Sequence, residues 1–254
     1  MPDLAHLALF VVLGALVGAL GGLFGIGGGL IAIPLLVLFF GLDEQHAQGT
    51  ALVMVSPNVL IGLRNYAQRG SVDRRVALLL AACAVPFTWL GALYATHAGP
   101  GLRLGFGAFT GALAIYFAFR ALRVKRATAH EKPPPRLAWG WTAVVGVLGG
   151  MLSGLFSVGG AVFAVPLLAL CFGYAQTEAQ GLSLALVAPG TIVGIIAYSL
   201  AGDVDWGIGI PLALGGVFAV RYGVSLAHRL PETTLRLLFC AMLAAASLGL
   251  FLKR

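Results

Sequence analysis

Glycine is concentrated in one short stretch of the chain, "GGLFGIGGGLIAIPLL", which runs from Gly21 to Leu36. Gly27, Gly29 and Ala32 fit the pattern G-x-G-x-x-A, in which a glycine-rich turn before a helix binds the phosphates of a dinucleotide. The pattern has this meaning only between a strand and a helix of a soluble parallel sheet. Runs of glycine also occur where a helix is interrupted inside a membrane. The rest of the chain must therefore decide what the glycines do.

The composition is that of an integral membrane protein. Of the 254 residues, 59% are hydrophobic and only 10% are charged, against about 25% charged in soluble domains. The stretch Val76–Ala95 is apolar on every face, whereas a membrane β-strand alternates apolar and polar residues. We therefore predict an all-α polytopic protein of the cell (inner) membrane, and the dinucleotide interpretation is excluded.

The glycine stretch occurs twice, at a constant spacing of 132 residues. "GLFGIGGGLIAIPLL" from Gly22 aligns with "GLFSVGGAVFAVPLL" from Gly154. The same spacing, without a gap, pairs Gln48 with Gln180, Pro57 with Pro189, Gly62 with Gly194, Tyr66 with Tyr198, Asp73 with Asp205 and Gly91 with Gly223. Because the same spacing holds over so many residues without a gap, it indicates that the chain arose by duplication. We expect a first transmembrane repeat at 1–121, a basic, proline-rich cytoplasmic linker at 122–137 and a second repeat at 138–254.

Each half divides into five apolar segments at its glycine, proline and charge clusters. The expected segments are Leu4–Leu20, Leu30–Phe40, His46–Leu63, Arg75–Thr96 and Leu102–Ala121, then Leu137–Met151, Ala161–Phe172, Glu178–Leu200, Trp206–His228 and Thr233–Leu252. The second segment of each half is too short to cross a bilayer, so we predict a half-helix after a glycine break and roughly 8–10 membrane segments in all. Because Asp3 precedes the first segment without any lysine or arginine, we expect a span there and not a cleaved signal.

Equivalent loops in the two halves carry opposite charge. The loop Arg64–Arg75 contains four arginines, while its partner Ala201–Trp206 contains Asp203 and Asp205 and no basic residue. Since basic loops tend to stay on the cytoplasmic side, these loops are expected on opposite sides of the membrane. We therefore predict inverted repeats, with parallel halves left open if each short segment merely re-enters.

The two glycine breaks are the predicted substrate site. Irregular backbone at membrane depth is found only where protein buries it or water lines it, and one break per half near the midplane is typical of repeat-built transporters. The free N–H groups and positive dipole end of the following half-helix favour an anion. Close helix packing, as expected for the G-x-x-x-G of Gly14 and Gly18, is the alternative. The candidate residues are Gly25, Gly27, Gly28, Gly29, Ser157, Gly159 and Gly160, supported by the helix-interrupting Pro34, Pro57, Pro166 and Pro189.

Few other polar side chains lie in the apolar segments. Gln48 and Gln180 have amide donors that reach an anion, although hydrogen bonding between helices explains them equally well. Arg221 lies within the ninth segment, where a charge is either functional or extends to the interface. The cysteines lack C-x-x-C spacing, and the chain has neither an H-E-x-x-H motif nor a nucleophile–base pair. We predict no metal, no cofactor and no enzymatic activity.

The paired glycine stretches, the matched Gln48 and Gln180, the matched prolines and the two G-x-V-D elements resemble the sulfite exporter TauE/SafE family over nearly the whole chain. The resemblance implies a transporter of sulfite or a small organosulfur anion. We predict export by alternating access, because a membrane potential favours expelling an anion by about 2.3 kcal/mol per charge per 100 mV. An anion channel and a cation-coupled uptake carrier are the alternatives. The expected partners are the anion and the lipid bilayer, without nucleic acid, and a homodimer is left open.

Overall fold

The computed structural model describes residues 4–97, 111–112, 138–157, 159–235, 237–239 and 241–242. This part of the chain is helical and contains no strand, which confirms the all-α prediction. Its long elements are α1 (Leu4–Phe24), α2 (Gly29–Phe40), α3 (Glu44–Gln68), α4 (Arg74–His97), α5 (Thr142–Phe156), α6 (Gly159–Cys171), α7 (Gln176–Ala201) and α8 (Trp206–Arg229). Residues 232–235, 237–239 and 241–242 are also helical. The predicted linker and most of the fifth and tenth segments lie outside the described residues.

Five helical stretches in the described residues are long and apolar enough to cross a membrane. They are His6–Phe24, Arg74–Ala95, Trp139–Phe156, Gln176–Ala201 and Trp206–Arg229. By contrast, α2 and α6 have only 12 and 13 residues, so both are short, as predicted. The break before α2 contains three left-handed glycines, whereas α6 follows the left-handed Ser157. The chain is therefore a multi-pass membrane protein with interrupted helices.

The helix boundaries differ from the predicted segments where local hydrogen bonds decide them. The first helix continues to Phe24, four residues beyond the predicted end at Leu20. The third begins at Glu44 because Asp43 caps it, with 2.9 Å between Asp43 Oδ1 and the backbone nitrogen of His46. The helix α5, which corresponds to the predicted sixth segment, begins at Thr142 after a 3₁₀ turn at Trp139–Trp141, and not at the predicted Leu137.

The first helix of each half packs against the fourth helix of the other half. Thus α1 lies along α8, and α5 lies along α4. The α1–α8 contact is made by backbone: a Cβ on Gly18 would lie 2.5 Å from Gly216 Cα, and one on Gly14 would overlap the carbonyl oxygen of Leu212. Small residues at such contacts let membrane helices approach closely.

The α4–α5 contact repeats the α1–α8 contact at the 132-residue spacing. A Cβ on Gly150 would lie 2.5 Å from the carbonyl oxygen of Ala84, and one on Gly146 would lie 3.0 Å from that of Leu80. These four residues align with Gly18, Gly216, Gly14 and Leu212 in the other pair. The duplication seen in the sequence is thus also present in the packing.

The equivalent helices α3 and α7 run antiparallel along each other. Their successive contacts are Gln48 with Tyr198, Leu52 with Gly194, Gly62 with Leu184 and Tyr66 with Gln180. Pro57 and Pro189 lie midway along this series. Antiparallel equivalent helices are what inverted halves require, and the side of the membrane that each end faces stays a prediction.

Candidate functional site

The first helix break consists of glycines in a conformation that other residues resist. Gly25, Gly27 and Gly28 have φ angles of +67°, +73° and +95°. Space is also limiting, since a Cβ on Gly27 would lie 2.5 Å from Val59 Cγ2 and one on Gly28 would lie 2.9 Å from the carbonyl oxygen of Val17. Glycine is therefore required here by backbone angle and by packing together.

The half-helix α2 begins directly after this break. Gly28 is its N-cap, and because glycine has no side chain it adds no capping hydrogen bond. Helical bonding starts with the backbone nitrogens of Ile31 and Ala32, which donate to the Gly28 carbonyl oxygen at 3.1 and 3.0 Å. The first N–H groups of an α-helix have no partner within the helix, and they lie at its positive end. The end of α2 beginning at Gly29 is thus suited to negative charge.

The second break differs from the first, because α6 already begins at the position that aligns with Gly27 and the left-handed residue is a serine. Ser157 aligns with Gly25 and has a φ of +57°, the only positive value among the non-glycine residues that the structure describes. The following helix α6 begins at Gly159. A Cβ on Gly160 would overlap the carbonyl oxygen of Gly149, so this glycine too is required by packing.

Two buried glutamine–tyrosine pairs join the halves. Tyr66 Oη lies 2.9 Å from Gln180 Oε1 and 3.0 Å from the carbonyl oxygen of Gly22, so its one proton is shared between two acceptors. Tyr198 Oη donates to Gln48 Oε1 at 2.6 Å. All four residues are at most 1% exposed. The tyrosines matched at the repeat spacing, but we did not predict them as site residues. A phenol at the same position of an apolar segment in both halves was the signal that marked them.

Each glutamine lies beside the helix break of the opposite half. A Cβ on Gly25 would lie 2.5 Å from Gln180 Cβ, and Ser183 Oγ donates to the Gly25 carbonyl oxygen at 3.0 Å. In the other cluster, Ser157 Oγ donates to Gln48 Oε1 at 3.4 Å. The predicted site residues therefore form two clusters, one at each end of the α3–α7 pair.

The amide nitrogens of the two glutamines differ. In the described part of the chain, the buried Nε2 of Gln180 has no hydrogen-bond partner. The Nε2 of Gln48 instead donates to Glu44 Oε1 at 3.4 Å. A buried donor left without a partner costs about 1–3 kcal/mol, so the Gln180 amide is a group that a ligand oxygen would satisfy.

The predicted helix-interrupting prolines lie inside helices. They are Pro34 in α2, Pro57 in α3, Pro166 in α6 and Pro189 in α7. Each removes one backbone donor without ending its helix.

Thr50, near Gln48, accepts a hydrogen bond from the backbone nitrogen of Asp205 at 2.9 Å, so its hydroxyl holds a loop of the other half.

Arg221 lies on the exposed face of α8. Its guanidinium carbon is 5.0 Å from the ring centroid of Tyr222, and its Nη2 donates to Tyr222 Oη at 3.2 Å. This is a cation–π contact at the protein surface. Extension of Arg221 to the interface and a transport role for its charge both stay predictions.

The two clusters lie near opposite charges. The start of α3, which carries Gln48, has Asp43, Glu44 and His46, and His46 Nδ1 lies 3.8 Å from Asp203 Oδ1 of the other half. Burial opposes ionisation of Asp43, but hydrogen bonds and charge from His46 outweigh it and hold the pKa of Asp43 below its ordinary value.

The opposite end carries basic groups, beside the Glu178 and Glu232 carboxylates that bond to backbone nitrogens at the start of α7. Tyr66 precedes a loop with Arg69, and the His228 ring lies 4.9 Å from the Tyr66 ring. His228 Nε2 is also 2.9 Å from Ser71 Oγ. Ser71 stands where Asp203 stands in the acidic cluster, so the equivalent loops differ in charge.

The described residues contain no group of three histidine, cysteine or acidic side chains placed to hold a metal ion. Cys83 and Cys171 are free thiols, each partly buried. The polar groups of the two clusters are amides, hydroxyls and backbone N–H groups, which form hydrogen bonds.

Interrupted helices, a duplicated helical fold and buried donors at the interruptions define the class: a polytopic membrane protein of the kind built from transporter repeats. The family model for sulfite exporter TauE/SafE matches residues 10–250. The chain belongs to the sulfite exporter TauE/SafE family, a family of membrane transporters.

Curated relatives agree with this assignment. The chain is 27% identical over 262 residues to a probable membrane transporter protein of Methanocaldococcus jannaschii, covering 97% of this chain and 95% of the relative. It is 31% identical over 219 residues to a probable membrane transporter protein of Xylella fastidiosa, covering 85% and 83%. The probable membrane transporter protein YunE of Bacillus subtilis is 24% identical over 247 residues, with 89% and 90% covered. No solved structure matches.

Proposed function

We propose that this protein exports a small sulfur oxyanion, sulfite or a small sulfonate, and that the anion binds beside the first helix break. The observation that carries the proposal is the buried Nε2 of Gln180, which has no partner among the described residues and lies in the cluster with Gly25. An anion oxygen accepts from such a donor without needing a charged side chain at the site.

The strength of the site suits a transporter. The positive end of α2 contributes about 0.3–1 kcal/mol to binding a negative charge when exposed, and up to about 2 kcal/mol when partly buried. One amide donor adds about 1.5–3 kcal/mol, because its hydrogen bond goes to a charged acceptor. The sum gives binding in a range that still permits release. It also favours an anion over a cation, since both contributions change sign with the charge.

The orientation follows from the two charged ends. We place the basic end, with Arg69, on the cytoplasmic side, because basic loops are retained there. The antiparallel contact of α3 with α7 supports inverted halves, one at 1–121 and one at 138–254. In that orientation the Gln180 cluster lies nearer the cytoplasm, and the membrane potential drives an anion outward by about 2.3 kcal/mol per charge per 100 mV.

Flux measurements in proteoliposomes test the proposal. We expect sulfite or methanesulfonate efflux that saturates with concentration and is accelerated by the same anion on the far side, as alternating access requires. The Gln180→Leu variant should lose most of this flux, and the exposed Leu200→Gln variant serves as a matched control. Flux that is linear in concentration and lacks acceleration would favour the channel, and strict dependence on a cation gradient would favour coupled uptake. Absence of anion flux from correctly folded protein would overturn the proposal.

A further inference from the structure

The two glutamine–tyrosine pairs occupy equivalent positions in the two halves, but their glutamine amide nitrogens have different surroundings. In both pairs the glutamine Oε1 accepts from a tyrosine, so in both the Nε2 is the group left to bind a ligand. At Gln180 this nitrogen is buried and has no partner in the described chain. At Gln48 it lies 3.4 Å from the carboxylate oxygen of Glu44.

The difference arises from substitutions between the halves. Gln176 aligns with Glu44, and Ser71 aligns with Asp203. The Gln180 pair therefore lacks both carboxylates that stand near the Gln48 pair. Two other acids lie at the start of α7, and both accept from backbone nitrogens. Glu178, which aligns with His46, accepts from Ala175 at 2.9 Å, and Glu232 Oε1 accepts from Gln176 at 3.2 Å.

We propose that the protein has two anion sites of unequal affinity, and that Glu44 is the specificity-determining residue that weakens the second. This inference rests on the proposed function and deepens it. The Gln180 site binds the anion tightly enough to collect it. At the Gln48 site the Glu44 carboxylate competes as a tethered anion for the same amide donor, and the neighbouring Asp203 adds repulsion.

The inequality has a defined consequence for transport. It does not set the direction of net flux, because the electrochemical gradient of the anion does that. It sets the affinity that the anion meets on each side of the membrane. At the Gln48 site the Glu44 carboxylate competes with the anion for the same amide nitrogen, so the anion is held weakly and release at that end is fast.

Heat stabilisation of purified, full-length protein by methanesulfonate tests the inequality. This sulfonate stays singly charged over the whole working pH range. Gln180→Leu should lose most of the stabilisation, whereas Gln48→Leu should lose little. Glu44→Gln, which introduces the residue found at position 176, should tighten binding at the second site by about tenfold, as expected for one hydrogen bond to a charged group.

The decisive variant is the double substitution Glu44→Gln with Gln180→Leu. It should regain the stabilisation that Gln180→Leu alone has lost, which a purely structural role of Glu44 would not produce. If Gln180→Leu fails to fold, Gln180→Asn takes its place, since it keeps an amide but withdraws it by one carbon.

Two results would overturn the inference while leaving the proposed function intact. One is that Gln48→Leu and Gln180→Leu lose the heat stabilisation by methanesulfonate to the same extent. The other is that the double variant does not regain that stabilisation. If the unsubstituted protein is not stabilised by methanesulfonate or by sulfite, the proposed function itself fails. The two failures are thus distinguishable.

Discussion

Tyr66 near the end of α3 donates a hydrogen bond to Gln180 near the start of α7, with 2.9 Å between Tyr66 Oη and Gln180 Oε1. The two residues come from different halves of the duplicated chain and are both fully buried. Because the tyrosine holds the amide oxygen, the amide nitrogen is turned away from it. The contact therefore joins the halves, and the Nε2 that we assign to the anion lies on the side of the amide away from the phenol.

Removing this hydroxyl should weaken substrate binding more than turnover. In Tyr66→Phe the ring remains against His228, but the Gln180 amide loses its anchor. A hydrogen bond of about 0.5–1.5 kcal/mol corresponds to a KM increase of about two- to tenfold. The kcat for anion flux should change little, as expected when binding is lost equally in all states. Tyr222→Phe, at the exposed surface, is the matched control, and an equal KM change in both variants would contradict the assignment.

Replacing Ser157 with glycine should stabilise the protein. Ser157 has a φ of +57°, which costs a non-glycine residue on the order of 1 kcal/mol. Its hydrogen bond to Gln48 is long, at 3.4 Å, and offsets only part of that cost. The thermal midpoint of Ser157→Gly should therefore rise. Ser153→Gly, inside α5, should lower it, because glycine weakens a helix interior. A fall in both variants would show that Ser157 is not strained.

The cap of α3 should make stability depend on pH. Asp43→Ala removes the bond to the His46 backbone nitrogen and should cost about 1 kcal/mol at neutral pH. The pKa of Asp43 is lowered in the folded protein, so its contribution is present above the ordinary carboxyl pKa and is lost as the pH falls through the lowered value. Melting curves of both proteins should converge in acid. A constant difference at all pH values would exclude the carboxylate as its source.

Cysteine labelling in intact cells tests the inversion of the halves. Arg69 and Ala201 are both exposed and are equivalent at the 132-residue spacing. In a background without Cys83, Cys171 and Cys240, Ala201→Cys should react with an impermeant thiol reagent from outside, and Arg69→Cys only after the cells are opened. Reaction of both from the same side would require parallel halves.

Much of the fold was predictable because duplication leaves a direct record in the sequence. The spacing that matches Gly22 with Gly154 also identified the short half-helices, since glycine is needed for positive φ at the first break and for close packing at both. The apolar stretches gave the helical class, because lipid leaves a backbone few alternatives. The start of α5 was misplaced because Trp139–Trp141 form a 3₁₀ turn, which apolar composition alone does not reveal.

The partners of the site residues were not predictable from one sequence. Gln48 and Gln180 were singled out as rare amides, but each pairs with a tyrosine of the other half, and such pairing depends on how α3 crosses α7. The packing of α1 against α8 and of α5 against α4, across the two halves, likewise depends on the tertiary structure and not on the local sequence. For the same reason the sequence suggested one site, whereas the structure holds two clusters at opposite ends of a helix pair.

The thermal midpoint of the purified protein in the presence of different ions tests the central claim most directly. The donors at Gln180 and at the start of α2 should bind a compact anion and disfavour positive charge. We predict that millimolar sulfite or a small sulfonate raises the midpoint, while chloride at matched ionic strength and a small organic ammonium ion do not. Equal stabilisation by the ammonium ion would contradict the account, because buried N–H donors at a positive helix end do not bind a cation.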